Sequence, residues 1–300
     1  MSTQGKYFDP QTLAKIRPIG LRARYLVEGY IAGMHRSPHQ GRSIEFSQHR
    51  EYVPGDDLRQ VDWKVYGRTD KFYLKQYEAE TNLICHLLLD CSESMSYRGP
   101  NSPLSKFEYA QLTIVSLAYL VLSQQDSISV SLIDQNLQQQ ITPSNSPAQL
   151  NHVIGLLEQS QSVRSTALEP ALRETASRLK SRGVVVLVSD LLDEPEKILQ
   201  GLQHLRYQRH DVIVIQVLDD AELSFPFDQP SRFLGMEGWA PLLADPRGIR
   251  QAYQKEIQQH ISKLREATRS MEIDFQLMNT SQPLYLTLPH LLAQRRRRFS

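Results

Sequence analysis

Leu83-Ile84-Cys85-His86-Leu87-Leu88-Leu89-Asp90-Cys91-Ser92-Glu93-Ser94 is the stretch whose reading decides the fold. Leu83 to Leu89 is a short apolar run, the pattern of a strand buried on both faces. It stops at a carboxylate, Asp90, and the chain passes at once into a loop carrying the hydroxyls of Ser92 and Ser94. Cys85 and His86 lie inside the run and are expected to be core residues.

From Leu83 onward, apolar runs alternate with amphipathic helical patterns. Ser105 to Leu122 reads as a helix, with Phe107, Ala110, Ile114, Leu117 and Leu120 near helical spacing. Ile128 to Ile133 is the next strand, and Gln138 to Thr142 a short edge strand. Pro147 to Leu157 follows as a helix with Ser146 as its N-cap, then a helix over Thr166 to Lys180. Val184 to Val188 is a strand running into Ser189 and Asp190. Pro195 to Tyr207 is helical, and Val212 to Leu218 another buried strand. Asp219 to Pro246 is polar and broken by Pro and Gly, which suggests an inserted hairpin. Ile249 to Ser270 is a long helix and Ile273 to Leu277 a last strand. Such alternation predicts an α/β fold: a doubly wound, mostly parallel sheet with helices on both faces and right-handed crossovers.

The rest of the chain has another texture. The predicted organisation is an N-terminal helical segment over 1–40, a β-rich region over 41–82, the sheet domain over 83–290 with its insertion at about 219–246, and a basic tail over 291–300. Leu13 to Met34 reads as a basic helix with a solvated face. Phe72, Leu74 and Gln76 alternate with Tyr73, Lys75 and Tyr77 as in a strand, and Val53 to Asp57 is a turn signal.

Composition narrows the function classes. The chain has 300 residues, 40% hydrophobic and 22% charged, with a formal net charge of +1. That balance argues against a general nucleic-acid or membrane-surface binder. Its two cysteines, Cys85 and Cys91, imply no disulfide framework, which fits a reducing compartment. The opening MSTQGKYFDP lacks the apolar centre of a signal peptide, and no apolar run approaches the roughly eighteen residues of a membrane span. A cytoplasmic protein is the simplest expectation.

In open α/β sheets, ligands bind beyond the carboxyl ends of the strands. The polar residues at those ends are Asp90, Ser92 and Ser94 after the first strand, Thr166 at the start of a helix, and Asp190 after the Val184–Val188 strand. These are hard oxygen donors, and no His or Cys pattern with zinc spacing accompanies them. Mg²⁺ suits such a set, because it takes near-octahedral oxygen and keeps several waters. Each residue alone is more often a turn or a helix cap. Their occurrence in this order at strand ends is what favours a metal.

The Asp-x-Ser-x-Ser sequence after an apolar strand, followed by Thr166 and Asp190, resembles the metal-ion-dependent adhesion site of von Willebrand factor A domains. The order of elements over residues 83–288 is similar to that fold. The resemblance implies Mg²⁺, or Mn²⁺ or Ca²⁺, held by Asp90, Ser92, Ser94 and Thr166, with Asp190 as a further ligand, direct or through water. Val163-Arg164-Ser165 precede Thr166 where such domains usually carry a glycine.

A second resemblance covers the region before the sheet. Arg50, Tyr52, Gly55, Asp56, Asp57, Arg59, Asp62 and Trp63, then Arg68-Thr69 and Glu80, follow the pattern of a bacterial family known as domain of unknown function 58. The similarity extends to Asp245-Pro246-Arg247 and beyond. It implies association with a MoxR-type AAA+ ATPase, the pair acting in assembly or maturation of other proteins. Trp63 and Tyr52 are expected to pack structurally, and Arg59 and Arg68 are the candidates for partner docking.

Together these readings predict a non-enzymatic module whose metal bridges to an acidic residue of a client protein. Two alternatives stand beside it. A metal-dependent phosphohydrolase would use a carboxylate and metal at a strand end. However, Ser92 occupies the place where an aspartyl-phosphate enzyme would want a second catalytic residue. Neither a P-loop nor a Gly-x-Ser-x-Gly elbow occurs. The other alternative is a scaffold whose metal site has decayed, motivated by the missing glycine.

Overall fold

The computed structural model describes residues 19, 23, 46–51, 63–69, 71–77, 83–162, 167–236 and 240–288. They belong to two units, one formed by residues 35–83 and the other by residues 1–34 with 84–300.

In the smaller unit, β1 (Phe46–Glu51) runs antiparallel to β2 (Tyr73–Tyr77), with a register shift between Phe46 and Gln48. Between them in sequence lies α1 (Trp63–Thr69). Tyr66 and Phe72 stack at 4.4 Å between ring centroids, and Trp63 meets them edge-on at 6.1 and 6.4 Å. These geometries suit the ring quadrupoles, negative at the face and positive at the edge. Trp63 still exposes 59% of its surface. Arg68 is exposed on the last turn of α1, where a cation complements the carbonyl end of the helix. Tyr52, Arg59, Asp62 and Glu80 lie outside the described residues.

In the larger unit the apolar run forms β3 (Ile84–Asp90), followed by α2 (Lys106–Ser123), β4 (Ser127–Ile133) and β5 (Leu137–Ser144). Then come α3 (Gln149–Gln159), α4 (Leu168–Arg178), β6 (Val184–Ser189), α5 (Pro195–Tyr207) and β7 (Asp211–Leu218). The inserted stretch opens with a helical turn, α6 (Asp220–Ser224). Its two strands, β8 (Ser231–Phe233) and β9 (Leu242–Ala244), pair antiparallel. α7 (Pro246–Ser270) and β10 (Asp274–Asn279) complete the unit.

The central sheet has six strands in the order β10-β7-β6-β3-β4-β5, parallel except for the edge strand β5. The expected doubly wound, mostly parallel α/β sheet is what forms. Buried strands still alternate between faces. Cys85, Leu87 and Leu89 of β3, with Val186 and Val188 of β6 and Ile213, Ile215 and Val217 of β7, join the core that holds α2 and α3 residues. Leu88 of β3, Val185 and Leu187 of β6, and Val212 and Val214 of β7 join the opposite core with α4, α5 and Leu264 of α7. Ala23 is fully buried in the first core and Ile19 packs against it, four positions apart on one helical face. Among the described residues, no helix is long and apolar enough to cross a membrane.

Helix ends depart from the sequence expectations for local reasons. α7 starts at Pro246, not Ile249, because Asp245 caps it by accepting from the Arg247 N–H at 3.1 Å and Pro246 fits the first helical turn. α3 starts at Gln149, because Ser146 is used in a turn: its hydroxyl accepts from the Ala148 N–H at 3.3 Å and its carbonyl from the Gln149 N–H at 2.9 Å. α2 begins as expected, with Ser105 and Glu108 forming a reciprocal capping box.

Candidate metal centre

Chain direction reverses at β3: the chain goes first to β4 on one side, then returns to β6 on the other. Asp90 ends β3, and Asp190 follows β6, so neighbouring parallel strands deliver both carboxylates to one sheet edge beside this switch point. Both side chains are almost fully buried, Asp90 at 1% and Asp190 at 2% exposure.

The loop after β3 is shaped by Asp90 itself. One carboxylate oxygen, Oδ1, accepts from the Ser92 N–H at 2.9 Å, turning the chain back on the strand end. A short 3-10 turn over Glu93–Ser96 then brings Ser94 beside Ser92, their hydroxyl oxygens 3.0 Å apart. Ser92 is buried and Ser94 half-buried, so the hydroxyl pair runs from the interior toward the surface. Asp90 Oδ2 accepts from Ser189 Oγ at 2.6 Å, and Ser189 Oγ in turn accepts from the Leu191 N–H at 3.0 Å. Leu191, fully buried, has φ 54°. A left-handed leucine costs on the order of 1–3 kcal/mol, a strain held here by the hydrogen bonds of Ser189 and Asp190.

Asp190 is bound on both oxygens. Oδ1 accepts from the Leu192 N–H at 3.3 Å, and Oδ2 from the Lys106 ammonium at 2.8 Å. The same ammonium donates to Glu222 Oε1 at 2.7 Å, and Glu222 Oε2 accepts from the Asp219 N–H at 2.8 Å. Lys106 is the largest fully buried side chain among the described residues. Gln216 of β7 donates to the Asp190 carbonyl at 2.9 Å.

Electrostatics follow from this crowding. Burial, and then the neighbouring Asp190 charge, push the Asp90 carboxyl up to about 7, against the hydrogen bonds from Ser189 and Ser92. Burial likewise raises Glu222, with Lys106 opposing. Burial acts to lower Lys106, but Asp190 and Glu222 outweigh it and hold the ammonium above the usual lysine range. Lys106 thus serves two carboxylates, Asp190 and Glu222, while Asp90 beside them has only the neutral donors Ser92 N–H and Ser189 Oγ, next to two serine hydroxyls. A hard divalent cation fits that donor set. Among the described residues no three His, Cys, Asp or Glu side chains converge on one point, so such an ion would depend on hydroxyls and water.

The structure brings Asp90, Ser92, Ser94 and Asp190 to one edge. Thr166 lies outside the described residues, as does Arg59. Arg68 belongs to the smaller unit. Lys106, Glu222 and Ser189 were not expected from the sequence. Lys106 alone carried a signal: it occupies the first residue of α2, where a cation opposes the helix dipole, so it calls for compensating carboxylates.

The chain has relatives that match it over most of its length. It is 26% identical over 227 residues to the uncharacterized protein Rv1480 of Mycobacterium tuberculosis, covering 74% of this chain and 70% of that protein. Among solved structures it is similar to the conserved hypothetical protein BatB from Bacteroides thetaiotaomicron. That similarity has a TM-score of 0.48 and 10% identity, covering 72% of this chain and 99% of the other. The VWA domain of SpRpn10 is similar at a TM-score of 0.41 and 12% identity, over 71% of this chain and 95% of that domain. Residues 48–263, well over half of the chain, match the family model described as protein of unknown function DUF58, and the chain belongs to that family.

Proposed function

We propose that this protein is a non-enzymatic, metal-dependent protein-binding module, acting as an adaptor or chaperone-like partner of a MoxR-type AAA+ ATPase. Asp90, Ser92 and Ser94 would hold a Mg²⁺ ion, with Thr166 and Asp190 as further ligands, direct or through water. When bound, the ion supplies a Lewis-acidic centre with a coordination position for an outside carboxylate. An Asp or Glu of a client protein completes it.

The observation that carries this reading is the pair Asp90 and Asp190, buried side by side with fewer internal cations than carboxylates. A cation from outside relieves that imbalance, and the half-buried Ser94 marks the side from which it enters. The ATPase partner rests on the family resemblance of the Arg50–Glu80 pattern, whose Arg68 is exposed for docking.

The test is capture of a MoxR-type ATPase and its clients by the immobilised full chain in Mg²⁺, in EDTA, and with Asp90→Ala. Capture should be lost in the last two conditions. Equal capture in all three sinks the metal-bridging function.

A further inference from the structure

Leu243 of β9 and Arg232 of β8 stand directly opposite each other, so their side chains share one face of the inserted ribbon. Leu234 lies two positions beyond Arg232 along the same side. Leu243 exposes 78% of its surface and Leu234 71%. The solvated face of an antiparallel ribbon is ordinarily polar. A single exposed leucine needs no explanation, whereas two on one short ribbon form a patch.

The ribbon is anchored, so this exposure belongs to a fixed surface. On the other face Phe233 stacks on Phe225 at 5.7 Å between ring centroids and meets Phe227 edge-on at 5.6 Å. Phe225 lies against Tyr253 of α7 at 4.5 Å. Arg250 of α7 donates to the carbonyls of Phe225 and Phe227 at 3.1 and 2.7 Å. Leu242, opposite Phe233, is exposed as well, so apolar surface is not confined to one face.

Three features say what the ribbon takes. Both strands of a two-stranded sheet are edge strands, and among the described residues β8 makes no backbone hydrogen bond beyond its pairing with β9. A row of peptide groups is therefore open to another strand. Arg232 is the only charged residue in the two strands and has no carboxylate partner among the described residues. Nearby acids are engaged elsewhere: Asp228 pairs with Arg250 at 2.7 Å, and Asp245 caps α7 through the Arg247 N–H. Finally, three leucines offer far less than the roughly 800 Å² that each partner buries in a standard protein interface. The surface suits a short segment better than a second folded copy.

We propose that β8 docks an extended segment of a partner protein by strand addition, with a carboxylate opposite Arg232 and an aliphatic side chain opposite Leu234. The segment carries acidic and aliphatic residues at alternate positions. Main-chain bonds supply the affinity, and the pair with Arg232 fixes the register. This surface is independent of the metal reading above.

The probe is a fluorescent peptide, Thr-Leu-Thr-Glu-Thr-Leu-Thr, titrated onto the full chain and read by anisotropy. A version with Gln for Glu should bind about tenfold more weakly, as should the Glu peptide on Arg232→Glu. A Lys-for-Glu peptide should bind Arg232→Glu better than it binds the natural chain, a reversal that loss of structure does not produce. Leu234→Gln should weaken the Glu peptide severalfold. Of two versions methylated on alternate backbone nitrogens, one should keep binding and the other lose it. Absence of binding, or equal binding of the Glu and Gln peptides, overturns the proposal. Equal binding of the Glu peptide by Arg232→Glu and the natural chain overturns it too. So does cosedimentation with phosphatidylcholine–phosphatidylglycerol vesicles that Leu234→Gln and Arg232→Glu abolish, which assigns the face to a membrane. A dimer that the same variants dissociate assigns it to a second copy and overturns it equally. Peptide binding should be the same in Mg²⁺ and EDTA, and its loss in EDTA overturns the proposal. If peptide binding holds while metal-dependent capture fails, the docking site stands and the metal-bridging function falls.

Discussion

Ser189 Oγ donates to Asp90 Oδ2 at 2.6 Å, so the ends of two adjacent strands are locked by a hydroxyl inside the candidate site. The same oxygen accepts from the Leu191 N–H, which places it at the centre of the strained turn after β6. Ser189→Ala removes the donor to a buried carboxylate and the acceptor of a buried N–H together. Stability should fall by about 1.5–3 kcal/mol, the usual cost for a hydrogen bond to a charged group. Urea unfolding checks this: the midpoint should drop with the slope unchanged, and an unmoved midpoint would show that the bond contributes nothing.

Lys106, Asp190 and Glu222 form a buried charge cluster, and such clusters respond asymmetrically to truncation. Lys106→Met keeps most of the stem but leaves two carboxylates facing each other without the ammonium. The expected loss is about 3–5 kcal/mol. Adding Asp190→Asn and Glu222→Gln to the same chain should restore much of it, because the uncompensated charges are gone. Denaturant unfolding of the single and triple variants measures both. A triple variant no more stable than the single one would place the loss in packing instead of charge.

Local patterns were legible in the sequence, and contacts closed by the fold were not. β3, β6 and β7 announce themselves because strands covered on both faces are continuously apolar. The Asp90, Ser92 and Ser94 loop is legible because its contacts are local: the Ser92 N–H folds back on the Asp90 carboxylate and Ser94 sits beside Ser92. Ser189, Lys106 and Glu222 are different. Ser189 is 99 positions from Asp90, Lys106 is 84 from Asp190, and Glu222 is 116 from Lys106. No local rule links them, and only the helix-dipole conflict at Lys106 marks one of them. α7 starts three residues before the Ile249 that the apolar pattern suggests, because Pro246, following an Asp cap, begins the helix and is no part of the inserted stretch.

Gly99 shows how closely the loop after β3 is fitted to the end of β7. Its N–H donates to Asp219 Oδ2 at 3.0 Å, and a Cβ added there would stand 2.0 Å from Asp219 Oδ1. Asp219 has little freedom to yield, since it also accepts from the Ala221 N–H and from Thr280 Oγ1, each at 2.9 Å. Gly99→Ala should therefore destabilise by about 1–3 kcal/mol through overpacking. Gly248 of α7 is the contrasting control, with nothing within 4 Å of an added Cβ. Gly248→Ala should stabilise by about 0.4–1 kcal/mol, through reduced freedom of the unfolded chain. Thermal melts of the two variants should move in opposite directions.

His86 and His210 meet edge-to-face at 5.8 Å, both almost fully buried. Burial, and then His210, push His86 down to about 4 from an ordinary value of 6.5, and burial lowers His210 as well. A folded-state value below the unfolded one means that the unfolded chain binds the proton more readily. The contribution of His86 is therefore complete above pH 6.5 and is lost as pH falls from 6.5 through about 4. Asp90 works in the opposite direction over part of this range, because its raised value makes the folded state take up a proton below about 7. The effect must accordingly be read as a difference between the natural protein and His86→Leu, in which the Asp90 contribution cancels. Between pH 7 and pH 4.5 the natural protein should lose on the order of 2 kcal/mol more than His86→Leu, as measured by urea unfolding at each pH. Parallel pH profiles for the two proteins would mean that His86 is protonated as easily in the fold as outside it.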